Sequence, residues 1–135
     1  ASEGLSSKSQ SNEIKNKYYL NTAASLAYKA VSEMKNLTKK LSGKPETAYG
    51  LAGLGDLYVS SAGGRNSKMG FYLGKGHTFK DAKAKFMKEI TVEGADLAFA
   101  IGPKILKEFD KKEFPLLLSI IECICNNEKL KIDWK

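Results

Sequence analysis

Apolar residues recur in steps of three and four along most of this chain, the spacing of a helix that buries one face. Leu20, Ala24, Ala27, Val31 and Met34 make one such face, with Ser11 or Asn12 placed to cap the helix that carries it. Ala23 and Ala30 widen the stripe with small side chains that let a neighbouring helix come close. The pattern fades at Leu41-Ser42-Gly43, and Pro45 is suited to open a short second helix, Glu46 to Leu54, which Gly55 and Asp56 end. A third helix, capped by Asn66 or Ser67, runs through Leu73 and stops at Gly74-Lys75-Gly76. Thr78 and Asp81 form a TxxD box for a fourth, Phe79 to Lys88. The fifth spans Gly94 to Phe109 with a bend near Gly102-Pro103, and the sixth Pro115 to Cys125. Only Leu57 to Ser61, with its Tyr and Val, offers a strand-like alternative. The expected fold is all-α, one domain of six or seven helices with no internal repeat.

Length and composition narrow this picture. A chain of 135 residues can bury a core without disulfides or a structural metal. The longest apolar run, Phe114 to Cys125, is broken by Pro115, Ser119 and Glu122 and is too short to span a bilayer, and no leader precedes it, so a soluble cytoplasmic protein is expected. The two cysteines, Cys123 and Cys125, have neither disulfide-framework nor zinc-site spacing, and no metal is expected; they read as reduced, packed thiols. A net charge of +7 favours anionic partners, whether phosphate metabolites, acidic proteins or nucleic acid.

Chemistry concentrates between Gly50 and Asn66, where Gly50, Gly53, Gly55, Gly63 and Gly64 surround Asp56 and Arg65. A loop ending Gly63-Gly64-Arg65-Asn66 at a helix start offers backbone N–H groups, the positive end of a helix dipole and a guanidinium fork, which suits phosphate. The alternative is a tight turn whose arginine caps a neighbouring helix. Asp56 reads equally as a boundary residue or as the carboxylate of a small polar site shared with Arg65. A GxGxxG fingerprint is absent, because Gly50, Gly53 and Gly55 have the reversed spacing and follow a helix. His77, between Gly76 and Thr78, reads as a turn residue with no partner base or nucleophile nearby.

Taken together and in order, TAYGLAGLGDL (47–57), GGRN (63–66), LGKG (73–76) and VEG (92–94) resemble the C-terminal domain of NAD(P)-dependent glycerol-3-phosphate dehydrogenases. The opening ASEGL resembles the stretch after that family's catalytic lysine, and the helix ending Ser32-Glu33-Met34 its first helix thereafter. The resemblance implies a helical substrate domain of the kind shared with 6-phosphogluconate dehydrogenases, normally preceded by a Rossmann domain that binds NAD or NADP. It implies hydride exchange between glycerol 3-phosphate and dihydroxyacetone phosphate. By the same resemblance Asp56 stands beside the catalytic lysine and the substrate hydroxyls, Ser60 falls at a substrate-contacting position, and Arg65 and Asn66 grip the phosphate. Arg65, Thr91 and Glu93 fall at cofactor-contacting positions, Thr91 replacing a residue that is usually valine in bacterial members; capping the following helix is the other reading of Glu93.

The departures are informative. Gly64 stands where bacterial-type members carry a serine, in a shorter loop. The catalytic lysine would lie upstream of Ala1, as would the whole nucleotide-binding half, so the chain reads as a fragment that is inactive alone. Two other classes of function are open at this point. A basic nucleic-acid-binding module fits the charge but lacks a motif, and a homodimer-forming module fits the alanine-rich first helix and the apolar last one.

Overall fold

The computed structural model describes residues 12–133, with side chains from Leu20 onward. Six α-helices follow one another: α1 (Asn12–Lys40), α2 (Asp56–Ser61), α3 (Arg65–Gly74), α4 (Phe79–Phe86), α5 (Glu93–Glu108) and α6 (Pro115–Cys125). The all-α expectation is met, and the strand-like stretch Leu57 to Ser61 lies in α2. No helix among the described residues is long and apolar enough to cross a membrane.

On α1 only the second half of the expected apolar stripe is covered: Val31 is buried and Met34 half-buried, whereas Leu20 and Ala24 stand exposed. The caps expected at Ser11 falls outside the described residues, and Asn12 begins the helix. At the other end Thr38 O accepts from Gly43 N at 2.8 Å, and Ser42, not Gly43, takes the left-handed φ of 61°.

The expected second helix is instead two unlike turns. Pro45–Tyr49 is a 3-10 turn and Leu51–Gly55 a π-helical turn, separated by an extended Gly50 (φ −85°, ψ −169°). The reason is close approach: a Cβ on Gly53 would lie 2.2 Å from the Ala48 carbonyl oxygen, so only glycine fits. The wider turn closes with Gly55 N donating to Gly50 O at 3.1 Å. Asp56 therefore does not terminate a helix; it opens α2 directly from the π turn.

The core lies where α3 to α6 converge, with Met69, Leu73, Phe79, Ala82, Met87, Val92, Ala95, Ala98, Cys123 and Ile124 buried together. α4 starts as the TxxD box requires, Thr78 Oγ1 accepting from Asp81 N at 3.3 Å. It ends two residues early, because fully buried Met87 leaves the helix and Lys83 Nζ donates to its carbonyl at 3.1 Å. α5 continues through Pro103 without a break. Its seam with α6 is narrow at Gly102, where a Cβ would meet Ile121 at 2.8 Å and Cys125 at 2.9 Å. Burial raises both thiols, Cys123 to about 11 with help from the nearby Glu128 charge and Cys125 to a lesser, partly exposed degree.

α6 occupies the predicted residues, and its first turn is tied to α1. Pro115 has no N–H, and the next two donors, Leu116 N and Leu117 N, each reach a carboxylate oxygen of buried Glu33 at 2.8 Å. Leu118 N then makes the first ordinary helical bond, to Phe114 O at 3.0 Å. Every orphan donor of that helix start is accounted for.

Candidate functional site

Two helix starts meet where the glycine-rich loop ends. α3 begins at Arg65 after Gly64, whose φ of 106° and ψ of 174° belong to a region that side-chain-bearing residues avoid. Gly64 brings no capping side chain, and the first N–H with a helical partner is that of Lys68, on Gly64 O at 3.0 Å. The expected caps Asn66 and Ser67 are thus inside the first turn. There they reach outward: Ser67 Oγ donates to Ser61 O at 3.3 Å, tying α3 to the end of α2.

α5 begins at Glu93 after Val92, also without a side-chain cap. Its first two residues meet the first two of α3 in matching order. Arg65 Nη2 donates to Glu93 Oε1, and Asn66 Oδ1 accepts from Gly94 N at 3.1 Å. Both partners of the ion pair are more than half exposed, so its contribution to stability is about 0–1 kcal/mol. A cation at the first position of a helix opposes the helix dipole, and the Glu93 carboxylate offsets that placement. Around the loop there is room, since a Cβ at Gly63 or Gly64 would meet nothing within 4 Å.

The other predicted residues lie on neighbouring elements. Asp56 and Ser60 sit one turn apart on α2, both exposed, with Ser60 Oγ donating to Asp56 Oδ2 at 3.5 Å, a long contact. Thr91 is exposed two residues before Glu93. The structure therefore brings Arg65, Asn66 and Glu93 into one cluster and Asp56 with Ser60 into another; among the described residues no hydrogen bond or ion pair joins the two. The arginine's partner is a carboxylate beside a helix start, not the helix carbonyls that the capping alternative would supply.

His77 follows the turn that ends α3, where Gly76 has a φ of 94°, and it is half-buried against aromatic rings: Phe86 at 5.1 Å and Tyr72 at 6.2 Å. It belongs to a packed aromatic corner. Lys111 pairs with Glu122 at 3.2 Å, while Lys107 is exposed in the last turn of α5. Sequence reading missed the contact of Gly94 with Asn66 and the service of Glu33 to α6, because both span long stretches of chain that no local pattern marks. Among the described residues no group of three or more His, Cys, Asp or Glu is placed to hold a metal ion.

Comparison with known proteins places these features in context. Residues 13–133 match the family described as NAD-dependent glycerol-3-phosphate dehydrogenase C-terminus. The chain is 37% identical over 113 residues to the glycerol-3-phosphate dehydrogenase (NAD(P)+) of Chlamydia pneumoniae, covering 82% of this chain and 33% of that protein. It is 38% identical over 96 residues to the NADP(+)-dependent glycerol-3-phosphate dehydrogenase of Archaeoglobus fulgidus, covering 67% and 29%. With the enzyme of the same name as the first from Clostridium acetobutylicum it shares 35% identity over 109 residues, covering 79% and 32%. The chain thus spans about a third of the length of the curated relatives it matches. No solved structure matches it significantly.

Proposed function

The chain belongs to the family of NAD-dependent glycerol-3-phosphate dehydrogenase C-terminal domains, and from this premise we propose that it is the substrate-binding half of an oxidoreductase interconverting glycerol 3-phosphate and dihydroxyacetone phosphate. The observation that carries the reading is the meeting of α3 and α5 at their N-termini, with Arg65 and Asn66 between them. Two converging helix starts, a guanidinium fork and an amide make a receptor for a phosphate dianion.

On this reading Asp56 accepts a hydrogen bond from a substrate hydroxyl, and Ser60, exposed one turn further along α2, is a second substrate contact. A nicotinamide dinucleotide, NAD or NADP, supplies the hydride acceptor. Arg65, Thr91 and Glu93 are the groups of this chain that would touch it, which their exposure beside the open Gly63-Gly64 loop permits. A preceding Rossmann domain and its lysine, the base for the alcohol proton, complete the enzyme. The 135 residues alone are then inactive, since hydride transfer requires both reactants to be held face to face. The same reading takes the enzyme to be cytoplasmic, which suits its free Cys123 and Cys125. It also takes the enzyme to be a homodimer without nucleic-acid partners; the exposed Leu20 and Tyr28 of α1 suit a subunit contact.

The test is kcat/KM in the full-length protein that carries this chain. Arg65→Ala is expected to cost about 2–5 kcal/mol, the range for removing one partner of a charge pair, here one that bound substrate and the covering nucleotide-binding half desolvate. Arg65→Lys is expected to weaken use of glycerol 3-phosphate severely, because an ammonium cannot copy the fork. Lys107→Ala, on the solvated face, should leave the rate unchanged. An Arg65→Ala enzyme within about threefold of the parent, under the 1.4 kcal/mol of a tenfold change, refutes the phosphate assignment.

A further inference from the structure

Asn66 has an amide with two chemically opposite ends, and only one of them suits an anion. The oxygen accepts hydrogen bonds and repels a phosphate; the nitrogen donates. In free rotation the two ends exchange by a half-turn about the last side-chain bond, so an unsupported asparagine offers a phosphate the wrong end in part of its population. Here one contact removes that freedom. Gly94 N–H lies 3.1 Å from Asn66 Oδ1, and the reversed amide would set two donors against each other at the same separation. The oxygen is therefore committed to α5, and Nδ2 is the end left for a ligand.

The contact depends on the absence of a side chain at position 94. A Cβ there would lie 3.0 Å from Asn66 Oδ1, 3.4 Å from its Cγ and 3.6 Å from Nδ2, so the amide would have to retreat by a few tenths of an ångström. Backbone conformation gives no other reason for glycine at this place, since the left-handed glycines among the described residues are Gly64 and Gly76. Gly94 is exposed and in the first turn of α5, where alanine is the better helix former. A residue that costs helix stability and fills no strained turn is explained by what it lets approach.

We propose that Gly94 is a positioning residue for phosphate binding: its N–H fixes the orientation of the Asn66 amide, and its missing Cβ lets the amide come close enough to be fixed. The ion pair of Arg65 with Glu93, one residue earlier on each helix, is the companion rung that keeps the two helix starts in register. The inference rests on the phosphate reading given above, and goes beyond it by assigning a role to a residue that touches no substrate.

A double-mutant cycle in the full-length protein tests it, with Gly94→Ala, Asn66→Ala and the combination, measured as KM for glycerol 3-phosphate, kcat, and thermal midpoint. Gly94→Ala is expected to raise KM about three- to tenfold, part of the worth of one hydrogen bond to a charged group, with kcat little changed and the thermal midpoint equal or higher. In the Asn66→Ala background the same substitution should add nothing. An equal loss in both backgrounds, or no loss in the parent while Asn66→Ala itself impairs binding, overturns the positioning role and leaves the phosphate reading intact. A silent Asn66→Ala removes the assignment of Asn66 to the phosphate, and the inference with it. A lowered thermal midpoint that accounts for the lost activity also overturns it, because a positioning role predicts weaker binding in a fold that is no less stable.

Discussion

Replacing Glu33 tests how α1 is fastened to the rest of the domain. The residue is 7% exposed, and its carboxylate holds Leu116 N and Leu117 N at 2.8 Å each, with Pro115 before them contributing no donor. Glu33→Ala leaves two N–H groups with no partner at about 1–3 kcal/mol each and removes a negative charge from a helix N-terminus, a further ~0.3–2 kcal/mol. Returning the carboxylate to water in the unfolded state is no longer forgone, and that offsets part of the sum. Glu33 itself lines a cavity of about 150 Å³, together with Ala30, Met34, Leu37, Leu116, Leu117 and Ile120, wide enough for water to reach the freed donors. The net expectation is about 2–4 kcal/mol for Glu33→Ala. Glu33→Gln keeps one acceptor but turns an NH2 toward the second donor, so about half that loss is expected. The assay is amide hydrogen exchange resolved at Leu116 and Leu117, together with the thermal midpoint. Protection should fall at those two amides before it falls across α5. If Glu33→Gln leaves both protection and midpoint at parental values, the carboxylate is not the cap of α6 and the reasoning fails.

Four further outcomes follow from the same packing. Gly53→Ala forces a methyl to 2.2 Å from the Ala48 backbone and should destabilise by more than about 3 kcal/mol, whereas Gly63→Ala, facing open space, should change the thermal midpoint little; similar midpoints would contradict the packing described. Gly64→Ala meets no atom but must hold a φ of 106°, so a cost of about 1–3 kcal/mol without loss of helix content is expected by circular dichroism and thermal melting. Cys123, buried and titrating near 11, should resist iodoacetamide at pH 8 in the folded protein and react at once in denaturant. With its folded pKa above the usual 9.0, its contribution to stability is complete below pH 9 and is lost as the pH rises through 11; a melting temperature that climbs over that interval in a Cys123→Ala-corrected comparison would contradict the sign.

Sequence alone determined the elements whose signals are local. The TxxD box places the start of α4, Pro115 the start of α6, and the four-and-three spacing the length of α1, because caps, a fixed φ and a repeating apolar face act within a few residues of themselves. The motifs from Thr47 to Gly94 likewise carried the family, since the order of short strings along a chain survives without any knowledge of its path. Tertiary structure decided the rest. Whether Leu20 or Val31 is covered depends on which elements reach that far along α1. The division of residues 45–55 into a 3-10 turn and a π turn follows from Gly53 pressing on the Ala48 carbonyl, a contact that propensities read residue by residue do not contain. Arg65 meeting Glu93, Asn66 meeting Gly94 and Glu33 meeting α6 join residues 28 and more than 80 positions apart. Their side chains were visible as chemistry in the sequence, but a partner across such a distance is chosen by the packing of whole helices, and only the folded chain shows which donor reaches which acceptor.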